Sequence, residues 1–315
     1  MPLPPYLTLD DLDSLIEVAL DEDIGPGDVT TEATVPEGRT AAAQITAKAP
    51  GVVGGLAVAE RVFTAVEPDI HCRWHVADGT VVEPGTAIGA LEGPARGLLV
   101  AERLALNIMQ RMSGVATATR RMVDAAAPHE PNILDTRKTA PGLRLLDKWA
   151  VRLGGGTNHR VGLYDLILIK DNHIAAAGGV HEALDAAHAF RVETGREDLD
   201  IEIETRTIDE VRAVLAHADQ QTGHGSDTRS QSGADIILLD NMAHGRNDGT
   251  VDVQMLQEAV DLIAGACRTE ASGNVTLDTV HDIAATGVDA ISSGALTHSV
   301  TALDVSMSMT LRAQS

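Results

Sequence analysis

From residue 132 onward, short apolar segments alternate with segments of helical periodicity, and this alternation constrains the fold more than any other feature. The apolar segments are 132–135, 166–169, 199–203, 236–239, 273–275 and 290–291. Helical periodicity lies between them, at 180–193, 208–217, 255–264 and 277–286. This alternation is typical of parallel strands joined by crossover helices, and the number of strands favours a barrel over an open sheet.

The chain before residue 114 has a different rhythm. Thr8 is suited to cap a helix that we expect to end at the glycines and proline of 25–27. Alternating short strands are predicted at 41–47, 51–53 and 71–76, and a helix at 98–111. We expect that helix to end at Ser113 and Gly114, at the domain junction. The prediction is an N-terminal α/β sandwich domain (1–113, with the tail 299–315 packing back on it) and an α/β barrel domain (114–298).

Two further segments are assigned to scaffold and surface. Residues 78–85 resemble the hairpins of biotinyl and lipoyl carrier domains, but a carrier needs a modified lysine nearby, and none occurs between Lys48 and Lys138. We therefore interpret 78–85 as part of the sandwich. Residues 220–233 form a polar, glycine- and serine-rich insertion without periodicity, which predicts a surface loop.

Composition excludes several classes of function. The 315 residues carry 46 acidic and 24 basic side chains, a formal charge of −22, which disfavours a nucleic-acid partner. The acidity indicates either a surface adapted to high salt or an ordinary acidic protein from a GC-rich genome. No apolar run reaches the roughly 20 residues of a membrane span, and we expect no signal peptide. Two cysteines without metal-like spacing predict free thiols in a reducing cytoplasm.

Basic residues are scarce, and several of them cluster between residues 135 and 173. Only four lysines occur, and two of them, Lys138 and Lys170, follow apolar segments. Arg137 lies beside Lys138, while His159 and Arg160 end a glycine-rich loop. Guanidinium groups bind carboxylates and phosphates in a bidentate manner, and lysine acts as a point charge. The cluster predicts a site for a multiply anionic small molecule, although His159 taken alone is equally typical of a structural histidine.

The ends of the later predicted strands carry a different set of polar residues. Glu204 and Asp240 follow neighbouring apolar segments, as in sites that hold Mg²⁺ through one or two carboxylates; strand-end caps are the alternative. Two Ser-Gly loops follow the final strands, where barrel enzymes often bind phosphate; ordinary glycine turns are the alternative there. These loops contain Ser272, Gly273, Asn274, Ser293 and Gly294.

With these residues assembled, the chain resembles nicotinate-nucleotide pyrophosphorylase (carboxylating), also called quinolinate phosphoribosyltransferase. The order and spacing of several motifs together carry the resemblance. They are Glu22–Gly25 with Gly27–Thr31, Glu102-Arg103 with Asn107, Ser113-Gly114, Asp135–Thr139, Gly154–Arg160, Ile169–His173, Glu202–Glu204, Leu238–Asn241 and the two Ser-Gly loops.

The resemblance implies an N-terminal α/β sandwich followed by an incomplete parallel α/β barrel, assembled as a homodimer or a multiple of dimers. It implies transfer of a phosphoribosyl group to quinolinate from phosphoribosyl pyrophosphate with Mg²⁺, yielding nicotinate mononucleotide, CO₂ and pyrophosphate for NAD biosynthesis. Quinolinate would contact Arg137, Lys138, His159, Arg160 and the partner subunit's Arg103. Lys138, Lys170, Glu204 and Asp240 would serve phosphoribosyl pyrophosphate and the metal, and the Ser-Gly loops the 5′-phosphate.

The sequence departs from the family pattern in two places. Asn274 replaces the second glycine of a Ser-Gly-Gly loop; asparagine tolerates a left-handed backbone, so we expect the geometry to survive. The second departure is the insertion 220–233. Two other enzyme classes stay open: a related phosphoribosyltransferase-like protein with another acceptor, and a Schiff-base barrel aldolase that uses Lys170 as its amine.

Overall fold

The structure, a computed structural model, describes residues 3–221, 233–246 and 250–312. Nearly all of the insertion predicted as a surface loop, 220–233, lies outside these residues. The elements up to residue 153 are α1 Leu9–Ile24, α2 Val29–Thr34, β1 Thr40–Ala47, β2 Gly51–Val52, α3 Leu56–Val66, β3 His71–Trp74, β4 Val81–Val82, β5 Ala87–Pro94, α4 Ala95–Ala126, β6 Asn132–Leu134 and α5 Arg144–Leu153.

The later elements follow the predicted alternation. They are β7 Ile167–Ile169, α6 Asp171–Ala177, α7 Val180–Thr194, β8 Ile201–Thr205, α8 Ile208–Gln221, β9 Ile236–Asp240, β10 His244–Gly245, β11 Val251–Asp252, α9 Gln254–Ile263, β12 Arg268–Ser272, α10 Val280–Ala285, β13 Ala290–Ser292, α11 Ala295–His298 and β14 Val305–Leu311. None of the helices described, the 32-residue α4 included, combines the length and apolarity that crossing a bilayer requires.

The chain divides into two compact units, of which the first comprises Met1–Arg120, Thr139–Gly155 and Leu296–Ser315. Its main sheet has the strand order β14-β1-β5-β3, with antiparallel pairing throughout. Every second residue of β1 is buried, from Ala41 to Ala47, which is the period of a strand that packs one face on a core. The expected N-terminal sheet domain is therefore confirmed.

The predicted helix end at Ser113 and Gly114 is wrong, because α4 continues without interruption to Ala126. Gly114 does not end the helix but permits close packing, because a Cβ at this position would lie 2.5 Å from the carbonyl oxygen of Thr301. Ser113 Oγ accepts a hydrogen bond of 2.9 Å from the N–H of Gly54. A glycine inside a helix signals either a stop or a close approach, and the local sequence does not distinguish the two.

The second unit, Arg121–Lys138 and Gly156–Ala295, is built on a six-stranded parallel sheet. Its strand order is β6-β13-β12-β9-β8-β7, and every pairing within it is parallel. Within the described residues, no ladder joins the edge strands β6 and β7. The expected incomplete parallel α/β barrel is confirmed, and its topology brings the carboxyl ends of six strands to one edge.

One predicted strand was misplaced. Residues 273–275 were expected to form the fifth strand of the barrel, but the strand is β12, Arg268–Ser272. Gly273 and Asn274 have φ values of 92° and 54°, so neither continues an extended backbone. The true strand begins Arg268-Thr269-Glu270, and these polar residues concealed it from an analysis based on apolar runs.

Candidate active site

The residues predicted for the barrel rim lie at the carboxyl ends of the parallel strands. Lys170 directly follows β7, and Glu204 is the penultimate residue of β8. Asp240 and Ser272 are the final residues of β9 and β12, and Ser293 directly follows β13. Because the strands are parallel, these positions share one edge of the sheet.

Lys170 and Glu204 form the first ion pair of this edge. Lys170 Nζ donates to Glu204 Oε2 at 2.8 Å. The Glu204 side chain is only 5% exposed, whereas that of Lys170 is 47% exposed. The carboxylate is therefore held inside the barrel mouth, and the ammonium group connects it to solvent.

Arg206, which the sequence interpretation did not select, contacts three carboxylates from three different elements. Its guanidinium lies 2.8 Å from Glu204 Oε1, 2.9 Å from Asp171 Oδ2 and 3.5 Å from Asp240 Oδ2. Its only sequence signal is its position immediately after β8, where a barrel enzyme carries functional residues.

Glu204 and Asp240 offer the donor atoms that Mg²⁺ prefers. Both groups supply carboxylate oxygens, and both reach one guanidinium, so a single cation can contact the two side chains. Burial and then the neighbouring charge of Glu204 raise the pKa of Asp240, which indicates that the two carboxylates are close enough to repel each other. The described residues at this position therefore fit a divalent cation.

His159 lies in a buried pocket with two acidic side chains that were not assigned a role from sequence. Its Nε2 atom is 3.1 Å from Glu202 Oε2 and 3.4 Å from Glu270 Oε2. Burial alone would lower the pKa of His159, but the contacts and charges of Glu202 and Glu270 outweigh it and raise the pKa to about 10. Burial, followed by the charge of Glu270, raises the pKa of Glu202. The three ligand atoms lie within 4.8 Å of one another, a spacing that also suits a metal ion; a protonated His159 supplies the positive charge itself.

The other ring nitrogen of His159 is engaged as well. Nδ1 accepts a hydrogen bond of 2.7 Å from the N–H of Arg160, and the side chain is only 9% exposed. This bond requires an unprotonated Nδ1, so it opposes the full charge that the carboxylates favour. Both ring nitrogens thus face groups of the protein.

Asp135 ties the glycine-rich loop to strand β6. Its fully buried carboxylate accepts from His159 N at 3.0 Å and from Asn158 Nδ2 at 2.6 Å. Thr157 adds a bridge to Leu134, so the loop runs parallel to β6 for one residue. Asp135 was identified within a motif but without a role; an acidic residue that directly follows an apolar strand was the available signal.

Arg137 and Arg160 bring two like charges together. Burial, followed by the positive charge of Arg137, lowers the pKa of Arg160, so the two guanidinium groups are close enough to repel each other. Both side chains are half-buried, and Arg160 also donates to the carbonyl of Leu166 at 3.3 Å. Lys138 is exposed beside them. Two adjacent guanidinium groups suit a ligand that carries two adjacent carboxylates.

The two Ser-Gly loops, which were predicted to bind phosphate, make different contacts within the protein. In the first, a Cβ at Gly273 would overlap Asn241 Oδ1, and Asn274 Nδ2 donates to that same oxygen at 3.2 Å. In the second, Ser293 is buried and its N–H donates to the carbonyl of Leu134 at 3.0 Å. That N–H already has a partner within the protein, so a phosphate bound at this loop would need hydrogen bonds from other groups near Ser293.

The remaining predicted residue, Arg103, belongs to the first unit. It is exposed on α4, beside half-buried Glu102. Within the described residues, its side chain forms no hydrogen bond or ion pair.

Comparisons with known proteins identify the family of the chain. The chain matches the family models of quinolinate phosphoribosyl transferase, the N-terminal domain over residues 28–113 and the C-terminal domain over 115–308. It is 51% identical over 305 residues to quinolinate phosphoribosyltransferase [decarboxylating] 1 of Nicotiana glauca, covering 96% of this chain and 84% of that protein.

Two bacterial proteins extend the comparison. The probable nicotinate-nucleotide pyrophosphorylase [carboxylating] of Bacillus subtilis is 40% identical, over 93% of this chain and 92% of its own length. The crystal structure of NadC from Streptococcus pyogenes has a TM-score of 0.86 and 35% identity, and covers 98% of this chain and 100% of that one. The resemblance inferred from the motifs is confirmed, and the chain belongs to the quinolinate phosphoribosyltransferase family.

Proposed function

We propose that this protein transfers the phosphoribosyl group of phosphoribosyl pyrophosphate to quinolinate, and that nicotinate mononucleotide, CO₂ and pyrophosphate are formed, as a step of NAD biosynthesis. One observation carries the proposal. A pair of mutually repelling guanidinium groups, Arg137 and Arg160, belongs to the same barrel unit as the strand-end carboxylates Glu204 and Asp240. The first pair suits a dicarboxylate, and the second suits a cation that accompanies a pyrophosphate.

Quinolinate would relieve the repulsion between Arg137 and Arg160. Its two carboxylates are adjacent on the ring, so each faces one guanidinium, and Lys138 adds a third positive charge. His159 supports this site in our proposal through its backbone N–H, which donates to Asp135 at 3.0 Å and anchors the loop that carries Arg160. Binding of the dianion and orientation of its ring nitrogen are then the main contributions of these residues.

Phosphoribosyl pyrophosphate would bind where Lys170, Glu204 and Asp240 meet. Mg²⁺ held by Glu204 and Asp240 would neutralise charge on the departing pyrophosphate. Lys170 is partly exposed at the end of β7 and would contact an oxygen of the same group. The Ser-Gly loops around Gly273 and Gly294 would hold the 5′-phosphate.

The chemistry needs no nucleophilic side chain. The ring nitrogen of quinolinate attacks the anomeric carbon, and the bond from that carbon to pyrophosphate breaks. The ribosylated ring is a pyridinium, so it accepts the electron pair when the carboxylate next to nitrogen leaves as CO₂; a proton then replaces it. The protein positions the anions and stabilises the developing charge.

We also propose that the active form is a homodimer in which Arg103 of one subunit reaches the quinolinate site of the other. The exposure of Arg103 on α4 supports this role. Cys72 and Cys267 are not joined by a disulfide in the described part of the chain.

The decisive experiment is mass spectrometry of the products after the protein is mixed with phosphoribosyl pyrophosphate, Mg²⁺ and quinolinate in high KCl. Nicotinate in place of quinolinate is the parallel reaction. We expect nicotinate mononucleotide from quinolinate only. Product from nicotinate, or none from either acceptor, would contradict the proposal and favour a related enzyme with another acceptor.

A Schiff-base aldolase is disfavoured by the surroundings of Lys170. Such an enzyme needs a neutral, desolvated amine. Lys170 instead donates to Glu204 at 2.8 Å and is about half exposed, so it is not desolvated.

A further inference from the structure

Arg206 lies at the centre of the charged cluster at the ends of β8 and β9, and it has no role in the proposed mechanism. Three of its nitrogens contact three different carboxylates: Nη2 contacts Glu204, Nη1 contacts Asp171 and Nε contacts Asp240. The charge of Glu204 is the largest cause that raises the pKa of Arg206. The side chain is also 50% exposed, so water can reach the guanidinium.

Both oxygens of Glu204 already contact a positive charge. Oε2 accepts from Lys170 at 2.8 Å, and Oε1 accepts from Arg206 at 2.8 Å. A divalent cation that coordinates Glu204 therefore meets at least one of the two side chains at contact distance. Like charges at such a separation repel strongly, so one side chain must withdraw.

Arg206 is the side chain better placed to withdraw. It follows the end of β8, and its carboxylate partners Glu204 and Asp240 are the two proposed ligands of the cation. Lys170, in contrast, contacts only Glu204 among the ion pairs described, and the proposed function requires it to stay near the pyrophosphate. The guanidinium is half exposed, so water can solvate it when it moves out, and the divalent cation then balances the buried carboxylate of Glu204 in its place.

We propose that Arg206 is a displaceable counter-cation. It holds Glu204 and Asp240 together while no divalent cation is bound, competes with that cation for both carboxylates, and swings away when the cation binds. The inference rests on the proposed function, because it takes Glu204 and Asp240 as the cation ligands. It adds a determinant of metal affinity that the sequence motifs did not contain.

The test is equilibrium binding of Mn²⁺ to the full-length protein without substrates, followed by the electron paramagnetic resonance signal of free Mn²⁺. Arg206→Gln removes the charge and keeps a polar side chain. We expect it to lower the Kd for Mn²⁺ by about three-fold or more, as the loss of a competing ion pair predicts. Glu204→Gln should weaken binding in either background.

Arg212→Gln is the matched control. Arg212 has a side-chain exposure of 57%, close to that of Arg206, and its partners are Asp209 and Glu258 instead of the strand-end carboxylates. The variant carries the same change in net charge, so its Kd should equal that of the wild type. An unchanged or raised Kd in Arg206→Gln, or an equal shift in Arg212→Gln, would overturn the inference. So would an absence of binding in both wild type and Arg206→Gln.

Product formation from quinolinate, measured separately, distinguishes the two proposals. If product forms while Arg206→Gln binds Mn²⁺ as the wild type does, the counter-cation role fails and the function stands. If no product forms while Arg206→Gln binds Mn²⁺ more tightly than both wild type and Arg212→Gln, the function fails and the competition stands.

Discussion

In the parallel sheet of the second unit, acidic residues at the amino ends of the strands and those at the carboxyl ends differ in their partners. Where the strands begin, the acids are satisfied: Asp235 accepts from Ile201 N–H at 2.8 Å and pairs with Arg191 at 3.1 Å. Asp289 accepts from both the N–H and the hydroxyl of Thr269, each at 2.8 Å. These carboxylates join one strand to the next.

Nearer the carboxyl ends, the acids are close to one another and share their positive partners: Glu204 and Asp240 share Arg206, and Glu202 and Glu270 share His159. Glu202 is fully buried, and neither of its oxygens has a well-aligned hydrogen bond within the described residues, only the ion contact with His159. Asp240 also has a raised pKa, caused by burial and then by Glu204. Unsatisfied charge costs stability and is retained where a ligand will complete it. The beginning of the sheet therefore serves the fold, and its end serves binding.

Arg137→Ala should have the largest effect, because it removes half of the guanidinium pair at the binding end. We expect kcat/KM for quinolinate to fall by about 100-fold or more, as for loss of one electrostatic contact to a reacting group. The melting temperature should change little, since the variant also removes the repulsion on Arg160. Steady-state kinetics measures kcat/KM, and thermal unfolding measures the melting temperature. If the variant had the same kcat/KM as the wild type, Arg137 would not belong to the site.

Asp235→Ala tests the opposite end. It leaves the Ile201 N–H and the nearly buried Arg191 without their carboxylate, which should lower the free energy of unfolding by about 1–3 kcal/mol. The kcat/KM per folded molecule should stay at the wild-type value. Urea unfolding and kinetics on the folded fraction check both. If kcat/KM per folded molecule fell as much in Asp235→Ala as in Arg137→Ala, the two ends of the sheet would not differ in function.

The His159 cluster predicts a pH dependence of stability. Its pKa rises from 6.5 to about 10 on folding, so the folded state binds the proton more tightly than the unfolded state. The resulting stabilisation is fully present below about pH 6.5 and is lost as pH rises towards 10. Unfolding free energies measured across this range should fall less steeply for His159→Gln than for wild type. Parallel curves would show that the cluster does not hold the proton.

The smallest effect is expected for Lys48→Ala. Lys48 is exposed in the first unit, and among the described residues it is engaged through its backbone N–H, which donates to the carbonyl of Asp304 at 2.8 Å. Activity should be unchanged, and the unfolding free energy should stay within about 0.5 kcal/mol of wild type. A marked loss of either would mean that basic residues matter in this acidic chain wherever they lie.

Sequence patterns predicted the elements with strong periodicity and failed where long-range contacts decide. The parallel strands were found because buried strands are apolar runs, whereas β12 was displaced because Glu270 lies inside the barrel. Gly114 was interpreted as a stop because its close neighbour, Thr301, lies far away in the chain. The position of Lys170 after its strand was predictable for the same reason as the strand itself.

The sequence did not predict which side chains of the candidate site contact one another. Glu202 was seen only as part of a motif, and its contact with His159 requires that two strand regions far apart in the chain meet. Arg206 carries no periodic signal, and its role depends on three acids from three elements. Pairings of this kind are properties of the folded topology.

The pairing of β14 with β1 has a consequence for how the protein is made. Residues 41–47 are hydrogen-bonded along their length to 305–311, and the entire second unit lies between them in the chain. During synthesis, one edge of β1 therefore waits, unpaired, while more than half of the chain is translated. Exposed edges recruit other strands, and distant pairings form slowly. The nascent chain should depend on chaperones longest at this edge, and a chain shortened before residue 305 should aggregate through β1.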